Sequence, residues 1–308
     1  MEQIKKLSPH LIVILLFVGI SFAYFSPVLQ GKHLDMPDIK HWKGMSKEIS
    51  DFRESTGQEA LWTNSMFSGM PAYQISVRYK ANLINYVDKI IRLGMPRPAD
   101  MLFLYLLGFY LLLLSLRVDY RLSVIGAIAF AFSSYFFIII MAGHMSKAHA
   151  IAYVPMVVAA VLYTYRGRML LGGVLTALTV ALEINCNHFQ ITYYLLLILL
   201  LIGIVQFVKD LKANNLADFA KRSAILVFAG LLASGTSLTR LSTTIEYGEA
   251  STRGKSELTT DLDNKTSGLD KDYATSWSYG IAETFTLLIP NFYGGASQGE
   301  LTTDSETY

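Results

Sequence analysis

Residues 189–208 read FQITYYLLLILLLIGIVQFV, twenty positions without an Asp, Glu, Lys, Arg or His, closed by Lys209 and Lys212. At about 1.5 Å of rise per residue such a run makes a helix of about 30 Å, the thickness of the hydrocarbon core of a bilayer. Six more apolar runs flank it, at roughly 10–29, 100–116, 122–142, 149–165, 169–184 and 223–239. Basic residues gather at alternate ends of these runs: Lys5 and Lys6, Arg117 and Arg121, Arg166 and Arg168, then Lys209, Lys212, Lys221 and Arg222. The two short loops on the opposite face, 143–148 and 185–188, hold only Lys147. The excess of positive charge on cytoplasmic loops then predicts a cytoplasmic N-terminus, with loop 30–99 and the segment after 241 outside.

The expected fold is an all-α polytopic membrane protein. A helical transmembrane bundle of seven spans over 1–240 carries a large first periplasmic loop, and periplasmic segment 241–308 leads toward further spans. Composition agrees: 52% of residues are hydrophobic and 16% charged, against about 25% charged in soluble domains. A formal net charge of +2 gives no reason to expect a nucleic-acid partner. Cys186 is the single cysteine, which rules out an intramolecular disulfide. Ser21-Phe22-Ala23 has the look of a signal-peptide cleavage site, but the apolar stretch continues through Phe25 and Val28 and reads as a retained anchor. No internal repeat marks a two-fold transporter.

Loop 30–99 is too long and too patterned for a linker. Over 81–95, Leu83, Val87, Ile90, Ile91 and Met95 fall on one helical stripe, with Asp88, Lys89 and Arg92 elsewhere, the pattern of an amphipathic interfacial helix. Segment 45–54 is a weaker example of the same kind. Between them LWTNSMFSGMP, Leu61 to Pro71, is turn-forming and aromatic, fitting a loop that returns to the bilayer surface. The loop is either a structural cap over the bundle or a lid that clamps a lipid-borne substrate.

Polar residues collect on the outside face. Asp35 and Asp38 follow the first span, His144, Lys147 and His149 lie in a tight turn, and Glu183, Asn187, His188 and Gln190 sit where two runs meet. Arg240 follows the last run. Ionisable groups at membrane depth are costly, so Glu183 and His188 are candidates for function; Glu183 could equally be a structural partner of Lys147 or Arg240. The five-residue spacing of His144 and His149 suits two metal ligands poorly, and no metal or other cofactor is expected. Carboxylate, imidazole, amide and ammonium groups on one face suit sugar transfer from a polyprenyl-phosphate-linked donor. A carboxylate would take the proton of an acceptor hydroxyl while the cations and amides meet the departing phosphate. The alternative is a non-catalytic transporter, flippase or assembly subunit for a lipid-linked envelope precursor. A transporter should place its polar residues at the midplane or on both faces.

Six stretches carry a family resemblance: Asp38 to Trp42 (DIKHW), Leu61 to Pro71, Ala142 to Ala150 (AGHMSKAHA), Asn187 to Gln190 with Tyr193-Tyr194, Ser251 to Leu258 (STRGKSEL) and Phe285 to Gly295 (FTLLIPNFYGG). Through them the chain resembles the YfhO-like bacterial membrane proteins, which look like multi-span, C-type glycosyltransferases. The resemblance implies a bacterial inner-membrane location, a polyprenyl-phosphate-linked sugar donor and an envelope-polymer acceptor. It also implies further spans, and an acidic base near the start of the first outside loop, with Asp38 the best match and Asp35 the second. Glutamines often follow that acid in the family, where this chain has Lys40 and His41. Its His-Pro-Gln element reads His188-Phe189-Gln190 here.

Overall fold

The computed structural model describes residues 2–251, 271–276, 278–289 and 292–293, the side chains of 2–6 and 273 excepted. Of the stretches that carry the resemblance, 252–258, 290–291 and 294–295 lie outside them. The chain divides into two compact units, residues 1–236 and 237–308. The first is helical apart from one small hairpin. Helix α1 (Glu2–Tyr24) leads into α2 (Pro37–Met45), α3 (Lys47–Thr56), strands β1 (Trp62–Thr63) and β2 (Met70–Pro71), and α4 (Ile84–Ile91). The bundle helices follow: α5 (Ala99–Ser115), α6 (Tyr120–Ala131), α7 (Ser134–Ala142), α8 (Met145–Tyr165), α9 (Met169–Asn185), α10 (Phe189–Lys212) and α11 (Leu216–Gly235). In the second unit lie α12 (Leu238–Gly248) and α13 (Lys271–Thr275).

Among the described residues, three helices are long and apolar enough to cross a membrane: Leu7–Tyr24 within α1, then α8 and α10. The number rises to five when α6 with α7, and α11 with α12, are each counted as one broken span. Helices α5 and α9 are apolar but shorter. Run 122–142, read from sequence as one span, breaks at Phe132-Ser133 with a bend of 46°. Ser133 takes an extended ψ of 131° at the N-cap of α7, and Phe132 and Phe137 pack around Tyr24 beside the break. Serine competes for backbone hydrogen bonds and aromatic rings lose rotamer freedom in a helix, so this stretch is the weak link of an otherwise apolar run.

Helix α5 is the axis of the bundle. Met101 to Leu106 are all fully buried or nearly so, the all-round burial expected of a helix apolar on every side. Tyr105 stacks on Phe136 at 4.2 Å and Phe109 on Phe130 at 4.3 Å. The Tyr105 hydroxyl donates to the Ala148 carbonyl at 2.9 Å, tying α5 to the first turn of α8. A methyl on Gly108 would come within 2.7 Å of the Ala152 carbonyl oxygen, so the two backbones meet where only glycine fits. Helix α10 is the opposite case. Leu196, Leu200, Leu201 and Val205 are all more than half exposed, and so large an uncovered apolar face on a long helix needs an apolar surround.

Short connections make the bundle antiparallel. Turns 143–144 and 186–188 fall at one end with the approach to α5, and turns 116–119, 166–168 and 213–215 at the other. Loop 30–99 is folded, with its own helices and hairpin. Glu48 accepts from the Thr63 hydroxyl and from the Asn64 and Ser65 amides, fastening the hairpin to α3. Arg53, almost buried, makes a forked ion pair with Glu59. The bonds from Thr63 and Ser65 hold Glu48 below the usual carboxylate range, and the bond from Arg53 does the same for Glu59.

Candidate functional site

Asp38 sits in the first turn of α2, directly after Pro37, where proline is pre-shaped for a helix start and an acid suits the dipole. Its Oδ2 lies 3.0 Å from Nε2 of His144, and both side chains are about half exposed. Gly143 lets the two meet. Its φ is +95°, and a Cβ there would lie 3.1 Å from the Asp38 Cβ and 3.2 Å from the Ile39 amide nitrogen. Lys147, one turn into α8, stands 5.5 Å over the Tyr135 ring. His188 caps α10 in the next turn along. Partial burial holds its imidazole below the usual histidine range, and the nearby charges of Lys147 and His144 push the same way. One half-open mouth therefore joins Asp38, His144, Lys147 and His188, read separately from three loops.

Beside this mouth lies a buried charge network with Asp88 of α4 at its centre. Asp88 accepts from the Tyr153 hydroxyl at 2.7 Å and from Arg92 Nε at 2.9 Å. Nε2 of His149 lies 2.7 Å away, close enough for an ion pair though not aligned as a hydrogen bond. Arg92 also reaches Asp100, whose side chain is wholly buried and whose Oδ1 has no partner among the described residues. Arg97 stands 3.8 Å from the same carboxylate. Burial alone would raise the pKa of Asp88, but His149, Arg92 and Tyr153 together hold it well below the usual carboxylate range. The pattern over 81–95 puts Asp88 and Arg92 away from the apolar stripe. The fold turns them inward beside Val87, Ile91 and Met95, which pack on the core, and leaves Leu83, Tyr86, Ile90 and Leu93 exposed. The signal was present in the sequence: Asp88 and Arg92 stand four apart on one face, as do His149 and Tyr153 inside an apolar run.

The other residues separate. His149 belongs to the Asp88 network rather than to the mouth. Glu183 is fully buried, and its two carboxylate oxygens share the Thr192 hydroxyl, each at 3.0 Å. Among the described residues it makes no ion pair with Lys147. It lines an apolar cleft of about 410 Å³ between α8, α9, α10 and α11, with Thr176, Tyr165 and Ser223. Gln190 donates to the Tyr194 hydroxyl at 2.8 Å. Asn187 takes a left-handed φ of 58° that turns the chain into α10. Asp35 pairs with Lys40 at 2.7 Å with both side chains largely exposed, a solvated contact of small worth. Arg240 lies in the second unit, on α12. No group of three or more His, Cys, Asp or Glu among the described residues is placed to hold a metal ion.

Fold and site together define a largely helical protein with several membrane-crossing candidates and a charged mouth at one end of its bundle. Comparison with protein-family models, with curated proteins and with solved structures finds no match to the chain.

Proposed function

We propose that the chain is a membrane glycosyltransferase that moves a sugar from a polyprenyl-phosphate donor to an envelope polymer at the outer face of the bacterial inner membrane. The observation that carries this reading is the contact between Asp38 and His144 at a half-open mouth also lined by Lys147 and His188. Asp38 takes the proton of the acceptor hydroxyl as that oxygen bonds to the anomeric carbon. The bond from that carbon to the phosphate oxygen breaks, and the departing polyprenyl phosphate leaves with the electron pair. Lys147 and the imidazoles of His144 and His188 meet its charge. His144 orients Asp38 as well.

The topology proposed with this reading has seven spans. It counts α5 and α9 as crossings and each broken pair as one. The basic ends face the cytoplasm, and the mouth and loop 30–99 face outside. The lipid tail of the donor lies along the exposed apolar helix faces, which brings its phosphate to the bilayer edge where the mouth opens.

Asp38→Asn keeps size and removes basicity, so protein level should stay near normal while glycosylation of the envelope polymer is lost. Immunoblot and acceptor glycan content measured together check this, with Asp35→Asn as the parallel variant expected to glycosylate normally. Loss with Asp35→Asn alone moves the base to Asp35, and normal glycan with both removes the catalytic reading. One observation favours the flippase reading: Glu183 lies buried beside an apolar cleft inside the bundle. If Glu183→Gln stops export of the lipid-linked precursor while Asp38→Asn does not, that reading replaces this one.

A further inference from the structure

Helix α4 is short: Ile84, Val87 and Ile91 pack on the core while Leu83, Tyr86 and Ile90 stay exposed, so only part of its apolar surface is buried. Polar side chains seat it at both ends. At its N-terminal end Asn82 donates to Asn185 Oδ1 at 3.3 Å, and Asn185 donates to Asn85 at 2.9 Å, which ties the helix to the last turn of α9. At its other end the Asp88 carboxylate holds His149 and Tyr153 of α8, and Arg92 extends the hold to Asp100 of α5. His149 and Tyr153 lie one and two turns below the part of α8 that carries His144 and Lys147. The Tyr105 bond to Ala148 and the Asp88 network therefore both fix the α8 N-terminus.

We infer that Asp88 is a positioning residue: it latches α4 across the ends of α5, α8 and α9, and so holds His144 and Lys147 in register with Asp38. The inference deepens the proposed function and rests on it for the role of the mouth, but the latch itself is tested without any substrate. Three partners, Arg92, Tyr153 and His149, converge on a carboxylate only 6% exposed. Removing one partner of a buried, hydrogen-bonded charge pair leaves the other charges uncompensated, so the latch should open when Asp88 loses its charge.

Cys186 is a built-in reporter. It is the sole cysteine, 8% exposed, and directly follows Asn185, to which α4 is tied. Burial pushes its thiol up and the charge of Asp88 adds to the push, which puts the two within electrostatic reach. The experiment is the rate of Cys186 labelling by a small maleimide in the purified full chain held in lipid nanodiscs, followed over a pH series and compared as the rate per thiolate, so that a change in thiol acidity is not counted as opening. Asp88→Asn should raise the rate at least about tenfold, since each factor of ten in the open population corresponds to about 1.4 kcal/mol. His149→Gln should raise it less, and Tyr153→Phe, which removes one hydrogen bond, least. The double variant Asp88→Asn/His149→Gln should label no faster than Asp88→Asn alone, because both act on one latch.

A wild-type rate in Asp88→Asn overturns the inference, and additive effects in the double variant do the same. If Asp88→Asn is not recovered as folded protein, the order of His149→Gln over Tyr153→Phe decides in its place, and equal or reversed rates overturn the latch. The two readings fail separately. Faster labelling with no sugar transfer by the wild type keeps the latch and removes the glycosyltransferase. Unchanged labelling alongside wild-type transfer removes only the latch.

Discussion

At the residue scale, Gly143 and Gly167 make a matched pair. Each takes a left-handed φ, +95° and +93°, in a turn flanking α8, but only Gly143 has neighbours a methyl would touch. A side chain in that region costs about 1–2 kcal/mol. Gly143→Ala and Gly167→Ala should therefore lower the melting temperature by similar amounts. Only Gly143→Ala should also displace Asp38 and reduce sugar transfer, by on the order of tenfold or more, since small misplacements of a reacting group are expensive. Equal activity in the two variants would detach Asp38 from the chemistry. Asp88 carries a pH prediction. Its folded pKa is depressed, so its stabilisation is present above its unfolded value near 3.9 and is lost as pH falls through the folded value. The melting-temperature gap between wild type and Asp88→Asn should close below about pH 4.

At the scale of elements, the apolar runs were legible and their interruptions were not. Seven runs stand in the sequence, yet 122–142 folds as α6 and α7, because a Phe-Ser-Ser step lowers hydropathy too little to show while it breaks the backbone ladder at Ser133. A helix was legible within 81–95, but its facing only in part: Val87, Ile91 and Met95 pack on the core, while Leu83 and Ile90 stay exposed. An amphipathic pattern says that two faces differ, and only the partners across the interface decide which one is buried. Here α8 offers a histidine and a tyrosine from inside an apolar run, and they draw Asp88 inward. Close helix crossings are likewise a matter of tertiary contact. Gly108→Val should cost about 1–3 kcal/mol through overpacking against the Ala152 carbonyl, whereas Gly230→Val, with open space around it, should be close to neutral. Thermal melts of both variants in the same detergent check this, and a neutral Gly108→Val would mean that α5 and α8 are not in close contact.

At the scale of the molecule, the asymmetry of charge is what joins fold to function. One end of the bundle is basic in the pattern orientation requires, while the other gathers an acid, two imidazoles and an ammonium at one mouth and a buried network beside it. The mouth was legible because its residues break apolar runs at their ends. The network went unread because Asp88 and Arg92 lie in a loop where charge is ordinary, although their four-residue spacing, and His149 and Tyr153 inside an apolar run, carried its signal. Reporter fusions at residues 58 and 167 should lie on opposite sides of the membrane, the first outside, and both on one side would contradict the proposed orientation. The central claim is that Asp38 is the base of a sugar transfer, and turnover by the purified chain tests it most directly. With a polyprenyl-phosphate sugar in nanodiscs and an envelope-polymer acceptor, wild type should release polyprenyl phosphate and glycosylate the acceptor. Equally folded Asp38→Asn should do so on the order of 10²–10⁴ times more slowly. Equal rates for the two proteins, or no transfer by the wild type, would contradict it.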